Sequence, residues 1–407
     1  MTDRRLVMHL LRRLSFGPTA AEVDAAVRAG YDATLERLLA PVALPEPPDL
    51  GPEPDPGGSR EGRQAARKKQ REQVGVLGRW WLSRMVADPT AAEKLTFFWH
   101  GHWATSAQKV RSARLMLAQQ QTFRRYGTGP TGPFVRAMLR DPALILWLDG
   151  QKNTRKAPNE NLSREVMELF TLGVGAYTED DVKAGARVLT GWQVDRAAGT
   201  ARLVPRRHDD QAVALLDGRA DGRADGVDSY ADLIVRQSAH LPFLAGRLWA
   251  RYGGPGPAPA VTGRDATSLL RAICAAPEFA AANGTLVKQP IEWLVGALRQ
   301  LRIEPDGTEP TLRALGQIPL RPPSVGGWPE GAAWLTTSST LTRLRAAQKL
   351  AAKAEIDDLT GPDRLEALAN RLAIDTWTDR THATLTPIKD PRRLLALALA
   401  SPEYAIH

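Results

Sequence analysis

The chain has 407 residues, 43% of them hydrophobic, a formal net charge of +9 and one cysteine, Cys274. A lone cysteine excludes an internal disulfide framework and any cysteine-based zinc cluster, and no uninterrupted apolar run approaches the roughly 20 residues of a membrane span. The charge excess is mostly arginine spread along the chain, which reads as solvated helix faces, so a nucleic-acid partner is not expected.

The N-terminal segment MTDRRLVMHLLRRLSFG carries charges throughout and has no apolar core followed by a small-residue cleavage site. It reads as an amphipathic helix with Leu6, Leu10 and Leu14 on one face, not as a signal peptide, and the expected location is cytoplasmic, with export alongside a partner as the other option. Thr19 and Glu22 form a capping box for a second helix closed by Gly30, and Asp32 is expected to cap a third. This helical layer covers 1–45. A proline- and glycine-rich connector follows at 46–58, then the main helical region, 59–407.

The basic run from Arg60 to Arg71 opens a long helix reaching Trp80, Trp81 and Met85. Asp88-Pro89 signals a stop and restart, with Asp88 as cap and Pro89 in the first helical position. The next helix carries LTFFWHGHWATS, with Gly101 expected to end it, and Ser106 is expected to cap one long helix reaching Tyr126. Residues 192–207 are the best candidate for β structure, with a turn near Ala198-Gly199. DGRADGRADG at 217–226 reads as a surface loop without the ligand spacing of a calcium loop. Further helices are expected at Tyr230–Val235 and His240–Tyr252 and at about 265–275, 290–302, 338–354, 362–372 and 391–400, giving an all-α, multi-helical fold with one small β-hairpin.

The stretch 144–192 carries the candidate chemistry. Asn159 opens a helix that ends at Gly173, with Leu162, Val166, Leu169 and Phe170 as its apolar stripe. Asn161, Glu165 and Glu168 lie along one edge of that stripe. Two carboxylates three residues apart share a helical face, an arrangement suited to two ligands for one metal or to a general acid/base pair. The bland alternative is a structural network neutralised by Arg155, Lys156 or Arg187. His100 and His102 would point about 200° apart on one helix, but a break at Gly101 would let His102 turn toward His100. His208 offers a third imidazole. A carboxylate/imidazole set of Glu165, Glu168, His100, His102 and His208 suits zinc, manganese or iron. For each histidine alone, packing among Phe97, Phe98, Trp99 and Trp103 is the simpler account.

Several motifs together resemble one family: HLLRRLSFGPT at 9–19, LTFFWHGHWATS at 95–106, RDPALILWLDGQKN at 140–153, APNENLSREVMELFTLGVGAYTEDDV at 157–182, LTGW at 189–192, KQPIEWLVGALR at 288–299 and GQIPLRPPSVGGWPEGAAWLTTSSTLTR at 316–343. This pattern is similar to the DUF1800 family, a bacterial family without an assigned activity. The resemblance implies a mainly helical fold and a neighbouring DUF1501-like protein of sulfatase/phosphatase type as a possible partner. The chain departs from the pattern at Asp210-Gln211-Ala212-Val213, at Gln237-Ser238 and at Phe170, where family members often carry Gly and Lys, His-Pro, and His. Two functions follow as expectations. One is a metal-assisted hydrolytic or oxidative enzyme, with Glu165, Glu168 and Asn161 as its catalytic residues. The other is a non-catalytic partner or chaperone-like protein for a DUF1501-like chain, for which exposed tryptophans should form a patch.

Overall fold

The computed structural model describes residues 3–220 and 226–407. The amphipathic N-terminal segment forms α1 (Asp3–Leu14), which buries Val7, Leu10, Leu11 and Leu14. Both bonds of the Thr19/Glu22 capping box are made at the start of α2 (Ala20–Ala29). Gly30, at φ +85°, closes α2 and opens α3 (Tyr31–Leu39) in one step. Asp32 therefore sits in the first turn of α3 instead of capping it.

The connector has no regular structure and is tied to the helix after it: the Gln73 amide donates to the carbonyls of Leu50 and Pro52, and Trp80 Nε1 donates to that of Glu46. Ser59 caps α4 (Arg60–Ala87), as the basic run predicts for the start of a long helix. The restart after Asp88 comes later than expected. Asp88 accepts from the amides of Thr90 and Glu93, which shapes a turn over Pro89–Ala91, and α5 (Ala92–His102) begins beyond it.

Two corrections follow in the next segment. Gly101 does not end its helix, since α5 runs on to His102. The close approach here falls on the facing glycine: a Cβ on Gly327, itself at φ +84°, would lie well inside contact distance of the Gly101 carbonyl oxygen, whereas a Cβ on Gly101 would make only ordinary contact with the Trp328 ring. Ser106 caps only the short α6 (Ala107–Val110). Arg111 then adopts the left-handed conformation at φ 54°, and Ser112 caps a separate α7 (Ala113–Tyr126).

α8 (Thr131–Leu139) and α9 (Pro142–Trp147) flank the Asp141 cap, whose carboxylate accepts from Leu144 N at 2.7 Å. α10 (Asn161–Glu165) passes directly into a π-helix, Val166–Thr171. α11 (Glu179–Val188) opens on the capping box of Thr178 and Asp181. The expected hairpin is β1 (Trp192–Asp195) and β2 (Thr200–Leu203), paired antiparallel with Trp192 opposite Leu203. A second hairpin, β3 (Val213–Leu215) with β4 (Gly218–Ala220), was not expected. Its turn residues Leu216 and Asp217 are both left-handed, at φ 50° and 57°, without the Asn-Gly signature of such turns. The first residues of the DGRADG repeat thus form β4, and 221–225 lie outside the described residues.

The remaining elements are α12 (Gly226–Arg236), α13 (His240–Leu248) continued by a second π-helix at Trp249–Gly253, α14 (Ala266–Ala275), α15 (Pro277–Ala281), α16 (Pro290–Leu301), α17 (Glu309–Ala314), α18 (Thr337–Lys353), α19 (Arg364–Arg371), α20 (Asp379–Leu385), α21 (Pro391–Leu399) and α22 (Pro402–Ala405). Two hydrophobic cores meet at α5. Phe98 and Trp99 belong to the core that contains α1, α8 and α12–α14; Phe97 belongs to the core of α4, α16, α18 and α21. A helix shared by two cores is apolar on both sides, which explains the run of four aromatic or apolar residues at 95–99 interrupted only by Thr96.

Candidate functional site

The helix at 161–171 carries the carboxylates, and its second half is wound more widely than an α-helix. Leu172 N–H bonds the Met167 carbonyl five residues back at 2.9 Å, and the Thr171 hydroxyl donates to the Val166 carbonyl at 2.6 Å. The buried face shifts with this: Leu162, Ser163, Val166, Met167, Phe170 and Thr171 are buried, whereas Leu169, read from α-helical spacing as part of the stripe, is only half-buried. Glu165 and Glu168 lie on the side away from that face and are both half-exposed.

Neither carboxylate has a salt-bridge partner among the described residues. Arg164, beside Glu165 in sequence, is committed to Glu179 at 2.7 Å and Glu160 at 3.1 Å, and Arg187 is committed to Asp209 at 2.7 Å. The neutralising network expected from Arg155, Lys156 and Arg187 is therefore not formed around this pair. Burial, and then the like charge of Glu168, raise the pKa of the Glu165 carboxyl above its ordinary value, against a smaller opposing effect of Arg164. Glu168 accepts a hydrogen bond from the Tyr177 hydroxyl at 2.8 Å. Burial and that bond push the Tyr177 phenol up to about 12, so it stays protonated as the donor.

Helix ends leave carbonyls without intrahelical partners, and two histidines serve them here. His102 Nε2 lies 2.8 Å from the Phe170 oxygen, and His240 Nδ1 lies 3.0 Å from the Thr171 oxygen. A ring nitrogen facing a carbonyl must carry the proton, which fixes both tautomers. His102 therefore meets the carboxylate helix through its backbone. Burial, helped by Arg247, holds His102 down at about 3, so the ring is neutral.

The other imidazoles lie elsewhere. His100 is fully buried on the opposite side of α5, edge-on to Trp81 at 5.3 Å and Trp328 at 5.4 Å between ring centroids, and burial lowers it to about 3. His208 Nδ1 lies 2.8 Å from the Thr190 carbonyl oxygen, next to the Arg187–Asp209 ion pair. Asn161 donates from its side-chain amide to the Leu148 carbonyl at 3.1 Å and so fastens the start of the carboxylate helix to the end of α9. Of the residues predicted for the site, Glu165 and Glu168 are brought together. Among the described residues, no three His, Cys, Asp or Glu side chains gather as a metal centre would require.

A family model described as "Protein of unknown function (DUF1800)" matches residues 9–406. The chain belongs to the DUF1800 family. No curated protein and no solved structure matches it. In this DUF1800 protein, two groups that sequence reasoning passed over support the carboxylate helix. Tyr177 lies in the quoted GAYTED run but is nine residues from Glu168, too far along the chain for helical spacing to pair them. Asn153 donates to the Ala186 carbonyl at 2.7 Å, accepts from Asn159 N–H at 2.9 Å, and its own carbonyl accepts from Gly191 N–H at 3.0 Å. It thus ties the loop 149–158 to α11 and to the entry of the carboxylate helix.

Proposed function

We propose that this DUF1800 protein is an enzyme of general acid/base type, with Glu165 and Glu168 as the reacting pair and Tyr177 positioning Glu168. The observation that supports this reading is a half-buried carboxylate pair without a cationic partner among the described residues, at the junction of an α-helix and a π-helix. π-Turns occur frequently at functional sites, and two carboxyl groups in unequal surroundings divide naturally into acid and base. Glu165, whose pKa is raised, is the proton donor in this reading; Glu168, held by the tyrosine, is the acceptor. Hydrolysis is the simplest reaction such a pair performs.

A metal-assisted version of the same site takes a narrower form than the sequence suggested. The pair of carboxylates suits a hard divalent ion that keeps most of its waters, with His100, His102 and His208 outside the coordination sphere. The test uses purified protein against panels of chromogenic esters, glycosides and phosphate esters, with and without added manganese. Glu165→Gln and Glu168→Gln should each lower the activity found by about 10²–10⁴-fold with the fold retained. Activity that survives both changes overturns the assignment, and dependence on manganese decides for the metal version.

The partner reading has less support. All eleven tryptophans are buried or half-buried, and among the described residues the exposed large apolar side chains are Val42, Leu44, Val174, Leu335 and Leu341.

A further inference from the structure

The basic segment of α4 does not face open solvent along its whole length. It forms one side of a trough of about 810 Å³, whose lining includes Arg67, Lys68 and Arg71 from α4 and Arg111 and Arg321 from the facing segments, above Val74 and Ala107. A backbone bond from Ala107 N–H to the Leu320 carbonyl, 2.8 Å, holds the segments bearing Arg111 and Arg321 together. Among the described residues Glu61 is the one acidic residue in the lining, and none of the five cations has a salt bridge. Arg321 is half-buried, and burial together with nearby Arg313 lowers its pKa in spite of Glu309. A half-buried guanidinium without a carboxylate against it is a standing electrostatic demand that an anion would meet.

The shape and chemistry of the lining select the kind of anion. It follows α4 from Glu61 to Val74, roughly 20 Å at the helical rise. That length matches an extended peptide of about six residues and exceeds what one phosphate group needs. Among the described residues no aromatic side chain lines the trough, so it offers no platform on which nucleic-acid bases would stack. Gln64, Gln70 and Gln108 do line it, and a primary amide both donates to and accepts from a peptide backbone. Four of the five cations are arginines, whose forked donors match carboxylates in pairs. We propose that the trough binds an extended acidic segment of a partner polypeptide. This proposal is independent of the Glu165–Glu168 reading, because the two sites share no residue.

The test measures fluorescence anisotropy of a labelled ten-residue Glu/Asp-rich peptide with the full chain, beside a Gln/Asn peptide of equal length and oligo-dT of equal charge. The acidic peptide should bind, with affinity falling as salt rises, and the neutral peptide should not. Arg71→Gln combined with Arg321→Gln should weaken binding by about tenfold or more. Arg67→Gln with Lys68→Gln and Arg71→Gln, all exposed positions on α4, should do the same without touching the half-buried Arg321, and melting curves check that each variant is folded. Lys349→Gln on α18, an exposed cation outside the trough, should change nothing. Absence of binding by the acidic peptide, equal loss in the Lys349 variant, or tighter binding of oligo-dT than of the peptide would each overturn the proposal.

Discussion

His102 and Phe170 are joined by a 2.8 Å hydrogen bond from an imidazole nitrogen to a main-chain oxygen, across 68 residues of sequence. The bond lies where the π-helix ends and its carbonyls have run out of partners, with the His240–Thr171 bond beside it. A histidine that looks like a metal ligand in the sequence thus serves as a cap on the helix that presents the carboxylates. Replacing it by phenylalanine keeps an aromatic ring against Phe98 and Trp99 but leaves the Phe170 carbonyl without its donor. We expect His102→Phe to lower the unfolding free energy by about 1–3 kcal/mol in urea titrations. An unchanged midpoint would show that the carbonyl finds another donor and that the histidine is not needed as a cap.

The buried histidines also set a pH dependence. His9, His100 and His102 each have a pKa brought down to about 3, in every case chiefly by burial. In the unfolded chain an imidazole takes up its proton near pH 6.5. Between about pH 6.5 and 3 the unfolded state therefore binds more protons than the folded one, and stability falls as pH falls. The contribution is complete above the unfolded pKa, so these groups predict a flat profile from pH 7 to 8. Below that window each histidine removes about 1.4 kcal/mol per pH unit. Urea unfolding at pH 7.5, 6 and 5 checks this, and a profile still flat at pH 5 would mean that the three rings are protonated at little expense.

A third prediction concerns a carboxylate buried among cations. Glu292, at 2% exposure, forms ion pairs with Lys94 Nζ at 2.7 Å and with Arg251 at 2.9 Å. Lys94 also donates to the carbonyls of Arg12 and Ser15, at and just past the end of α1, a favourable place for a positive charge. Burial alone would raise the Glu292 carboxyl, but Arg251 and Lys94 outweigh it and hold its pKa well below the ordinary range. Glu292→Gln leaves two buried cations without their counter-charge and should destabilise the fold by about 3–5 kcal/mol. A melting temperature close to that of the parent protein would show that the helix-end carbonyls alone are sufficient.

The mainly helical fold was legible because its signals are local. The capping box at Thr19/Glu22 and the β1–β2 hairpin each depend on residues within a few positions of one another. The errors arise where a distant contact decides. Gly101 looks like a helix end in sequence, but α5 runs through it to His102, with Gly327 and Trp328, more than 200 residues away, packed against that turn. For the same reason His100 and His102 stay on opposite faces of α5, one against each core, and the expected cluster of imidazoles does not form. The α-to-π change at Val166 has no sequence signature in 3.6-residue periodicity, so the face on which Leu169 sits was misplaced. The pairing of Glu165 with Glu168 was legible because a spacing of three residues survives that change.

That pairing supports the last prediction. Two causes raise the Glu165 pKa, burial first and the charge of Glu168 second. Glu168→Gln removes the second and leaves the first, so the Glu165 titration midpoint should fall but stay above that of an exposed glutamate. Carboxyl-carbon NMR of glutamate-labelled protein, compared between parent and variant, reads this directly. The linked stability effect has a definite sign. A carboxyl whose pKa is raised in the folded state favours folding at low pH and loses that contribution as pH rises through its folded pKa. Neutralising its neighbour shrinks this term, so the variant should lose less stability than the parent as pH rises from the ordinary glutamate value toward neutrality. Tyr177→Phe offers a companion measurement, since it removes the hydroxyl that holds Glu168 while both carboxylates remain. If Glu165 titrates identically in parent and Glu168→Gln proteins, the two groups do not share a field, and the pair cannot act as one acid/base site.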